Sequence, residues 1–190
     1  MAVSKLAHHV YNKLSELNVN MRKLNEDYME IWKDDIFLTW RWWLNIAILV
    51  LPWLIWFLLR KKDSTYRLLL AGFFVYLVTS ILDSIGITFG LWFYMYTPLP
   101  DLHTYYFPWD FGAFPIMVMT LIQFKPHINP YLKALFFSLI SAVVFEPVFA
   151  KLGLYVAVRW EYYYGIPIYF VIFLLAHSLA CKKDFKGITE

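Results

Sequence analysis

Charge is scarce in this 190-residue chain. Charged side chains make up 16% of it, against roughly 25% in ordinary soluble domains, and hydrophobic types make up 61%. This composition excludes a soluble enzyme and a disordered chain. The net charge is only +3, and the basic residues stand in short clusters between apolar runs. Because a basic footprint for nucleic acid is missing, we expect membrane lipid, and no nucleic acid, as the partner.

Cysteine is nearly absent as well. Cys181 is the single one, which excludes an intramolecular disulfide framework and a cysteine-rich zinc site. The first thirty residues carry charge throughout, so no secretory signal peptide is visible. The chain also lacks a phosphate-cradling glycine loop and the histidine spacing of a zinc-protease helix. We therefore expect neither a cofactor nor a metal.

Aliphatic and aromatic residues fill five runs that are candidate membrane spans, because a helix needs about 20 apolar residues to cross the hydrocarbon core. The sequence predicts an all-α bundle of five transmembrane helices over residues 37–181, followed by a tail at 182–190. The third run is short and contains Pro115, which leaves a broken or re-entrant start open. The five runs are 37–59, 68–94, 109–124, 131–156 and 162–181.

Residues 1–36 form a segment of their own, in which apolar residues recur at alternating steps of three and four for about four heptads. The pattern predicts one long amphipathic helix. Its apolar stripe lies on the membrane surface or on the spans of its own chain, or it pairs with another copy through residues 3–31. The stripe consists of Val3, Ala7, Val10, Leu14, Leu17, Met21, Leu24, Tyr28 and Ile31.

Lysine and arginine are distributed unevenly among the connections. Nine of them lie at 60–67, at 125–133 and after residue 181, whereas the connection 95–108 has none. By the positive-inside rule these nine are cytoplasmic, and five spans then put the N-terminus outside. We therefore predict a multi-pass protein of the bacterial cell membrane with a cytoplasmic C-terminus.

The second and fourth runs are similar to one another. Asp83 precedes the sequence Gly90-Leu91-Trp92 by seven residues, and Glu146 precedes Gly153-Leu154-Tyr155 by the same seven. An aromatic-acid pair and then a proline follow each run. The sequence thus predicts a parallel duplication, in which spans two and three match spans four and five about a pseudo-twofold axis along the membrane normal. The following pairs and prolines are Trp109-Asp110 with Pro115 and Trp160-Glu161 with Pro167.

Asp83 and Glu146 are the strongest candidates for chemistry. An ionisable group at membrane depth costs roughly 2.5–3.5 kcal/mol and usually faces a bundle interior or a wet cavity. We expect both carboxyls to flank one cavity that opens outside; the alternative is that each only bonds neighbouring helices. Asp101 and His103 are expected at the outer mouth of this cavity. The candidate ligand-binding residues are Asp83, Glu146, Asp110, Glu161, Trp92, Tyr94, Trp109, Arg159 and Trp160.

Three functions remain open at this point. The leading one is a non-enzymatic cavity that binds a lipid, an isoprenoid or a cation for carriage or sensing, since aromatic faces with carboxylates suit cations. The second is an enzyme whose catalytic acid–base pair, Asp83 and Glu146, acts on an isoprenoid double bond. The third is a scaffold assembled through the N-terminal heptads.

Several motifs resemble a family of small integral membrane proteins from spore-forming Gram-positive bacteria. The resemblance covers about residues 28–181 and implies a five-span bacterial inner-membrane protein, without implying an activity. The stretches that carry it, in order, are Phe37-Leu38-Thr39-Trp40-Arg41-Trp42-Trp43, Pro52-Trp53-Leu54-Ile55-Trp56, Leu82-Asp83-Ser84-Ile85-Gly86, Gly90-Leu91-Trp92-Phe93-Tyr94 and Phe145-Glu146-Pro147.

A smaller part of the chain is similar to the membrane-embedded carotenoid lycopene cyclases. The sequence Trp92-Phe93-Tyr94 matches their W-x-Y at a helix end. Their next motif has acids after a proline, whereas Pro115 is followed by Ile116 and Met117 here. The resemblance therefore does not extend to the part that would carry cyclase activity.

Overall fold

The computed structural model describes residues 2–100 and 105–182, with side chains from residue 7 onward. The chain is mostly helical, as the sequence predicts. Asp101, His103 and most of the tail 182–190 lie outside the described residues. The helices are α1 (Ala2–Ile31), α2 (Trp40–Leu59), α3 (Thr65–Thr88), α4 (Phe114–Gln123), α5 (Pro130–Leu139), α6 (Glu146–Lys151) and α7 (Gly165–Ala180), and the strands are β1 (Trp92–Tyr94) and β2 (Tyr155–Ala157).

Four helical stretches in the described part of the chain are long and apolar enough to cross a membrane. They are consistent with a multi-pass membrane protein. The four stretches are Trp40–Leu59, Lys62–Thr88, Pro130–Lys151 and Tyr162–Ala180.

The predicted third run is not among these four stretches. It forms a π-helical segment, Pro108–Ala113, which leads directly into α4. Pro115 is the second residue of α4 and follows the π-helical segment directly. Helical structure is nevertheless continuous through 107–123, so that the segment is not broken at this proline.

The helix ends of α3 and α6 are built alike. Gly90 and Gly153 follow them with φ angles of +64° and +73°, which glycine adopts without a steric cost. The amide of Leu91 donates to the carbonyl of Gly86 at 2.9 Å, and the amide of Leu154 donates to that of Phe149 at 2.9 Å. Both helices thus end in a glycine-dependent C-terminal motif.

A short antiparallel ribbon joins the two segments that follow these glycines. In β1 and β2, Trp92 pairs with Ala157, Phe93 with Val156, and Tyr94 with Tyr155. Because Phe93 and Val156 are both three residues after their glycine, the register is symmetric about that central pair. The helices predicted to reach residues 94 and 156 therefore end earlier, since glycine stops them and the aromatic and β-branched residues beyond favour a strand.

Two further main-chain bonds extend the same symmetry. The amide of Met95 donates to the carbonyl of Leu154 at 3.2 Å, and the amide of Val158 donates to that of Leu91 at 2.9 Å. The ribbon lies at one end of the bundle, which we call the ribbon end. The opposite end, where α2 gives way to α3 and α4 to α5, is the lysine end.

The N-terminal segment is helical, as its heptads predict. α1 runs into a π-helical turn, Trp32–Ile36, and is tied to the ribbon end by the Trp32 indole, which donates to the carbonyl of Thr97 at 2.9 Å. From residue 7 onward its apolar stripe is exposed in the single chain, except at Tyr28, which is half-buried and whose hydroxyl hydrogen-bonds to that of Thr97 at 3.0 Å. The exposed large members are Val10, Leu14, Leu17, Met21, Leu24 and Ile31.

At the lysine end, Lys133 is buried rather than solvated. Its Nζ donates to the carbonyl of Leu121 at 2.8 Å and to that of Phe124 at 2.7 Å. A cation on these last carbonyls satisfies the C-terminus of α4 and complements its dipole. Lys133 thus connects α5 to α4.

Candidate functional site

A cavity of about 190 Å³ lies towards the ribbon end, between α3, the 107–123 helix, α6 and α7. An apolar cavity of about 150 Å³ admits benzene, so this one has room for a small organic group. Its wall is largely aromatic and apolar, with three carboxyls. The predicted site residues that line it are Asp83, Asp110, Glu146, Trp92, Tyr94, Trp109 and Trp160.

Asp83 accepts three hydrogen bonds. The Trp92 indole and the Tyr94 hydroxyl donate to its Oδ1 at 2.7 and 2.8 Å, and the backbone N–H of Tyr106 donates to its Oδ2 at 2.7 Å. Such bonds are typical of an ionised carboxylate. Burial and the nearby charge of Asp83 raise the pKa of Tyr94 well above its usual value, so that its hydroxyl remains a donor.

A second set of polar contacts anchors this arrangement to α2. The hydroxyl of Tyr106 donates to the Asn45 side-chain oxygen. The Asn45 amide in turn donates to the carbonyl of Tyr96 at 2.7 Å and to that of Arg41 at 3.0 Å. Asn45 was not among the predicted site residues, although a buried amide in an apolar span carries a cost of the same kind as a buried acid.

Asp110 lies beside Asp83. It is only 2% exposed, and its carboxyl is within hydrogen-bonding reach of Asp83 and of Thr79. Among the described residues, no hydrogen-bond partner reaches its Oδ2. Two adjacent carboxylates repel unless one is protonated or a cation lies between them.

Glu146 lies across the same cavity and is 8% exposed. The Tyr169 hydroxyl donates to its Oε1 at 2.6 Å, and the Trp160 side chain is also within hydrogen-bonding reach. Its buried Oε2 has no partner in the described part of the chain. Gly165 packs so tightly here that a Cβ would lie 2.9 Å from Oε1.

No lysine, arginine or histidine is among the described residues that line the cavity. Arg41, in the first turn of α2, donates to the carbonyl of Leu152 at 2.7 Å, and its guanidinium lies over the rings of Trp40 and Tyr96. The carboxyls of the cavity therefore have no basic counterpart among the described residues of its wall.

Two predicted site residues lie elsewhere. Arg159 and Glu161 are exposed and do not line the cavity. Glu161 matches Asp110 in the predicted repeat, yet it precedes the short 3₁₀ turn Tyr162–Tyr164, whereas Asp110 lies within a π-helical segment. The different local helices account for the opposite environments of the two acids.

In comparisons with known proteins, no family model matches the chain, and no curated protein or solved structure matches it. The two family resemblances in the sequence thus stay predictions.

Proposed function

We propose that this chain is a membrane protein that binds the cationic group of an organic ligand in its acidic, aromatic cavity, for carriage or sensing. One observation carries the proposal: Asp110 and Glu146 each have a buried carboxyl oxygen without a donor among the described residues. A buried acid of this kind needs a proton, a cation or a basic group nearby. The surrounding ring faces favour a cation.

An organic cation fits better than a metal ion. In the described part of the chain, no three His, Cys, Asp or Glu side chains converge closely enough to hold a metal. The volume of about 190 Å³ suits a substituted ammonium group, which carries its own apolar surface. Of the three ligand classes expected from the sequence, a whole lipid or isoprenoid is too large to be enclosed, whereas the head of a cationic ligand is not.

We propose the following membrane arrangement for the site. The 107–123 helix is a short third crossing, which gives five in all, and α3 with that helix duplicates α5–α7. The matching glycine ends at Gly90 and Gly153 and the symmetric register of β1 with β2 support the duplication. The lysine end faces the cytoplasm of a bacterial cell, and the ribbon end faces outward.

Calorimetry of the protein in nanodiscs tests the cation proposal, with tetramethylammonium as the probe and tert-butanol as a neutral control. We expect saturable binding of the cation only. Glu146→Gln and Asp110→Asn should each weaken it by about tenfold or more, since a desolvated cation contact contributes about 2 kcal/mol. Glu161→Gln, which alters an exposed acid, is the matched control. Equal affinity of the parent protein and all three variants for the cation would contradict the proposal.

An acid–base enzyme is the second candidate, favoured by the proximity of Asp83 and Asp110. Asp110 adds a third carboxyl to the predicted catalytic pair of Asp83 and Glu146, and its carboxyl lies within hydrogen-bonding reach of Asp83. A protonated carboxyl can donate its proton to one carbon of a double bond, and the neighbouring carboxylate can then remove a proton from the carbon next to the resulting cation, so that the double bond is shifted and the pair keeps one proton. Incubation with an isoprenoid and product analysis in deuterium oxide would test it: deuterium incorporation lost in Asp110→Asn favours the enzyme.

A scaffold is the third candidate, favoured by the uncovered stripe of α1. Pairing of this stripe with a second copy, through residues 3–31, would bury it without a ligand. Native mass spectrometry separates this candidate from the others, because a scaffold yields a defined oligomer that does not change when the cavity acids are replaced.

A further inference from the structure

The cavity has its exposed wall on α3. Leu82 and Ile85 line it and are 37% and 48% exposed, and they are the two exposed residues among those described in its wall. Ile168 and Ile172 of α7, the helix that packs against α3, also line the cavity. The opening therefore lies between the ribbon-end halves of α3 and α7.

The opening lies beside a part of α3 that belongs to a candidate membrane span. α3 lies within the apolar stretch Lys62–Thr88, and the neighbouring exposed side chains on it are hydrophobic, including Leu77 and Ile81. In a membrane such a face contacts hydrocarbon rather than water. The way into the cavity thus leads from the bilayer.

The side nearer the ribbon is occupied by indoles. The rings of Trp92 and Trp160 stand 4.8 Å apart, edge to face, and both line the cavity. Trp92 is held there by its bond to Asp83 and by Gly86, where a Cβ would lie 2.1 Å from the indole. A ligand arriving from water at the ribbon end meets this pair, whereas one dissolved in the bilayer meets Leu82 and Ile85.

We infer that the ligand is an amphiphile: its ammonium head enters sideways between α3 and α7 and sits among the acids, while its alkyl chain stays in the bilayer. The inference rests on the proposed function and names its ligand class. The unpartnered oxygens of Asp110 and Glu146, both more than nine-tenths buried, supply the site for the head. The volume of about 190 Å³ leaves the chain outside.

The test compares dodecyltrimethylammonium, below its micelle concentration, with tetramethylammonium. The protein is held in phosphatidylglycerol nanodiscs, whose lipid lacks an amine, and the signal of empty nanodiscs is subtracted. Leu82→Trp narrows the opening, whereas Ile81→Trp places the same bulk on the adjacent, 59% exposed position that does not line the cavity. Leu82→Ala widens the opening.

We expect the long-chain cation to bind at least about tenfold more tightly than tetramethylammonium, because each buried methylene adds to affinity. Leu82→Trp should lower the affinity for the long-chain cation about tenfold and leave the affinity for tetramethylammonium within about twofold of the parent's. Ile81→Trp and Leu82→Ala should bind both cations as the parent does. Equal effects of Leu82→Trp and Ile81→Trp would overturn the lateral entry and leave the cation site standing. Absence of saturable binding by either cation would overturn the proposed function itself.

Discussion

The ring of Tyr94 stacks on the ring of Tyr106, with centroids 4.2 Å apart and planes 9° from parallel. The hydroxyl of Tyr94 and the backbone N–H of Tyr106 both donate to Asp83. The stack thus joins the ribbon to the 107–123 helix and fixes the carboxylate between them. Asp83 is oriented by the fold, which leaves Asp110 and Glu146 as the acids with capacity for a ligand.

Removing one donor to Asp83 should destabilise the fold. Tyr94→Phe deletes the hydroxyl that donates at 2.8 Å, and we expect the free energy of unfolding to fall by about 1.5–3 kcal/mol, as for a buried bond to a charged group. Denaturant unfolding in a fixed detergent measures the loss. Tyr96→Phe is the control, because the hydrogen bond that the Tyr96 hydroxyl makes among the described residues is a long one, from Arg41 at 3.5 Å. Equal losses would show that the Asp83 bond is not stabilising.

Gly86→Ala should displace Trp92. A Cβ at this position would lie 2.1 Å from the indole, and overpacking of this kind costs about 1–3 kcal/mol. We expect a lower midpoint of thermal unfolding and a changed tryptophan emission spectrum. Gly72→Ala is the comparison, since its Cβ would meet the flexible thioether of Met119. An unchanged spectrum in Gly86→Ala would mean that the ring is not held where the structure has it.

The proposed orientation predicts which single cysteines are labelled from outside intact cells. In a Cys181→Ser background, Arg159→Cys at the ribbon end should react with a membrane-impermeant maleimide before permeabilisation. Lys125→Cys at the lysine end should react only afterwards. Both positions are exposed, so that accessibility reports the side of the membrane. The reverse order of labelling would invert the orientation.

The stripe of α1 should be covered in the membrane or by a second chain. Replacing Leu17 and Leu24 by Asp puts charge on the stripe, and we expect faster proteolysis of the segment or a smaller oligomer. Lys23→Asp, which changes charge outside the heptad stripe, should do neither. Protease sensitivity and size are read by limited digestion and native mass spectrometry. If the double variant behaves as the parent does, the stripe is not buried.

The cavity could be predicted only in part from the sequence. Asp83 and Glu146 stood out because charge is costly inside an apolar run, and both line one cavity. By its sequence neighbours Glu161 is equivalent to Asp110, yet Asp110 is buried and Glu161 is exposed. The difference arises because Asp110 lies in a π-helical segment whereas Glu161 precedes a 3₁₀ turn, and no residue pattern specifies which of the two forms. Asn45 gives a weaker signal in the sequence, because burying a neutral amide costs less than burying a charged group.

The fold was predictable at the level of helices but not at their ends. Hydrophobic runs locate α2, α3 and α7 well, since lipid demands satisfied helical backbone. The ribbon was missed because its strands are three residues each and are defined by pairing with each other. Such pairing is a tertiary contact, and local propensity does not encode it.

The most direct test of the central claim is to locate a bound cation. Tetramethylarsonium is a close analogue of tetramethylammonium, and its arsenic gives an anomalous X-ray signal in crystals of the complex. We predict one peak inside the cavity, within about 6 Å of an aromatic ring centroid and nearer to Glu146 and Asp110 than to Asp83, and its loss in Glu146→Gln. A saturated crystal with arsenic only at exposed acids such as Glu161, and none in the cavity, would contradict the account.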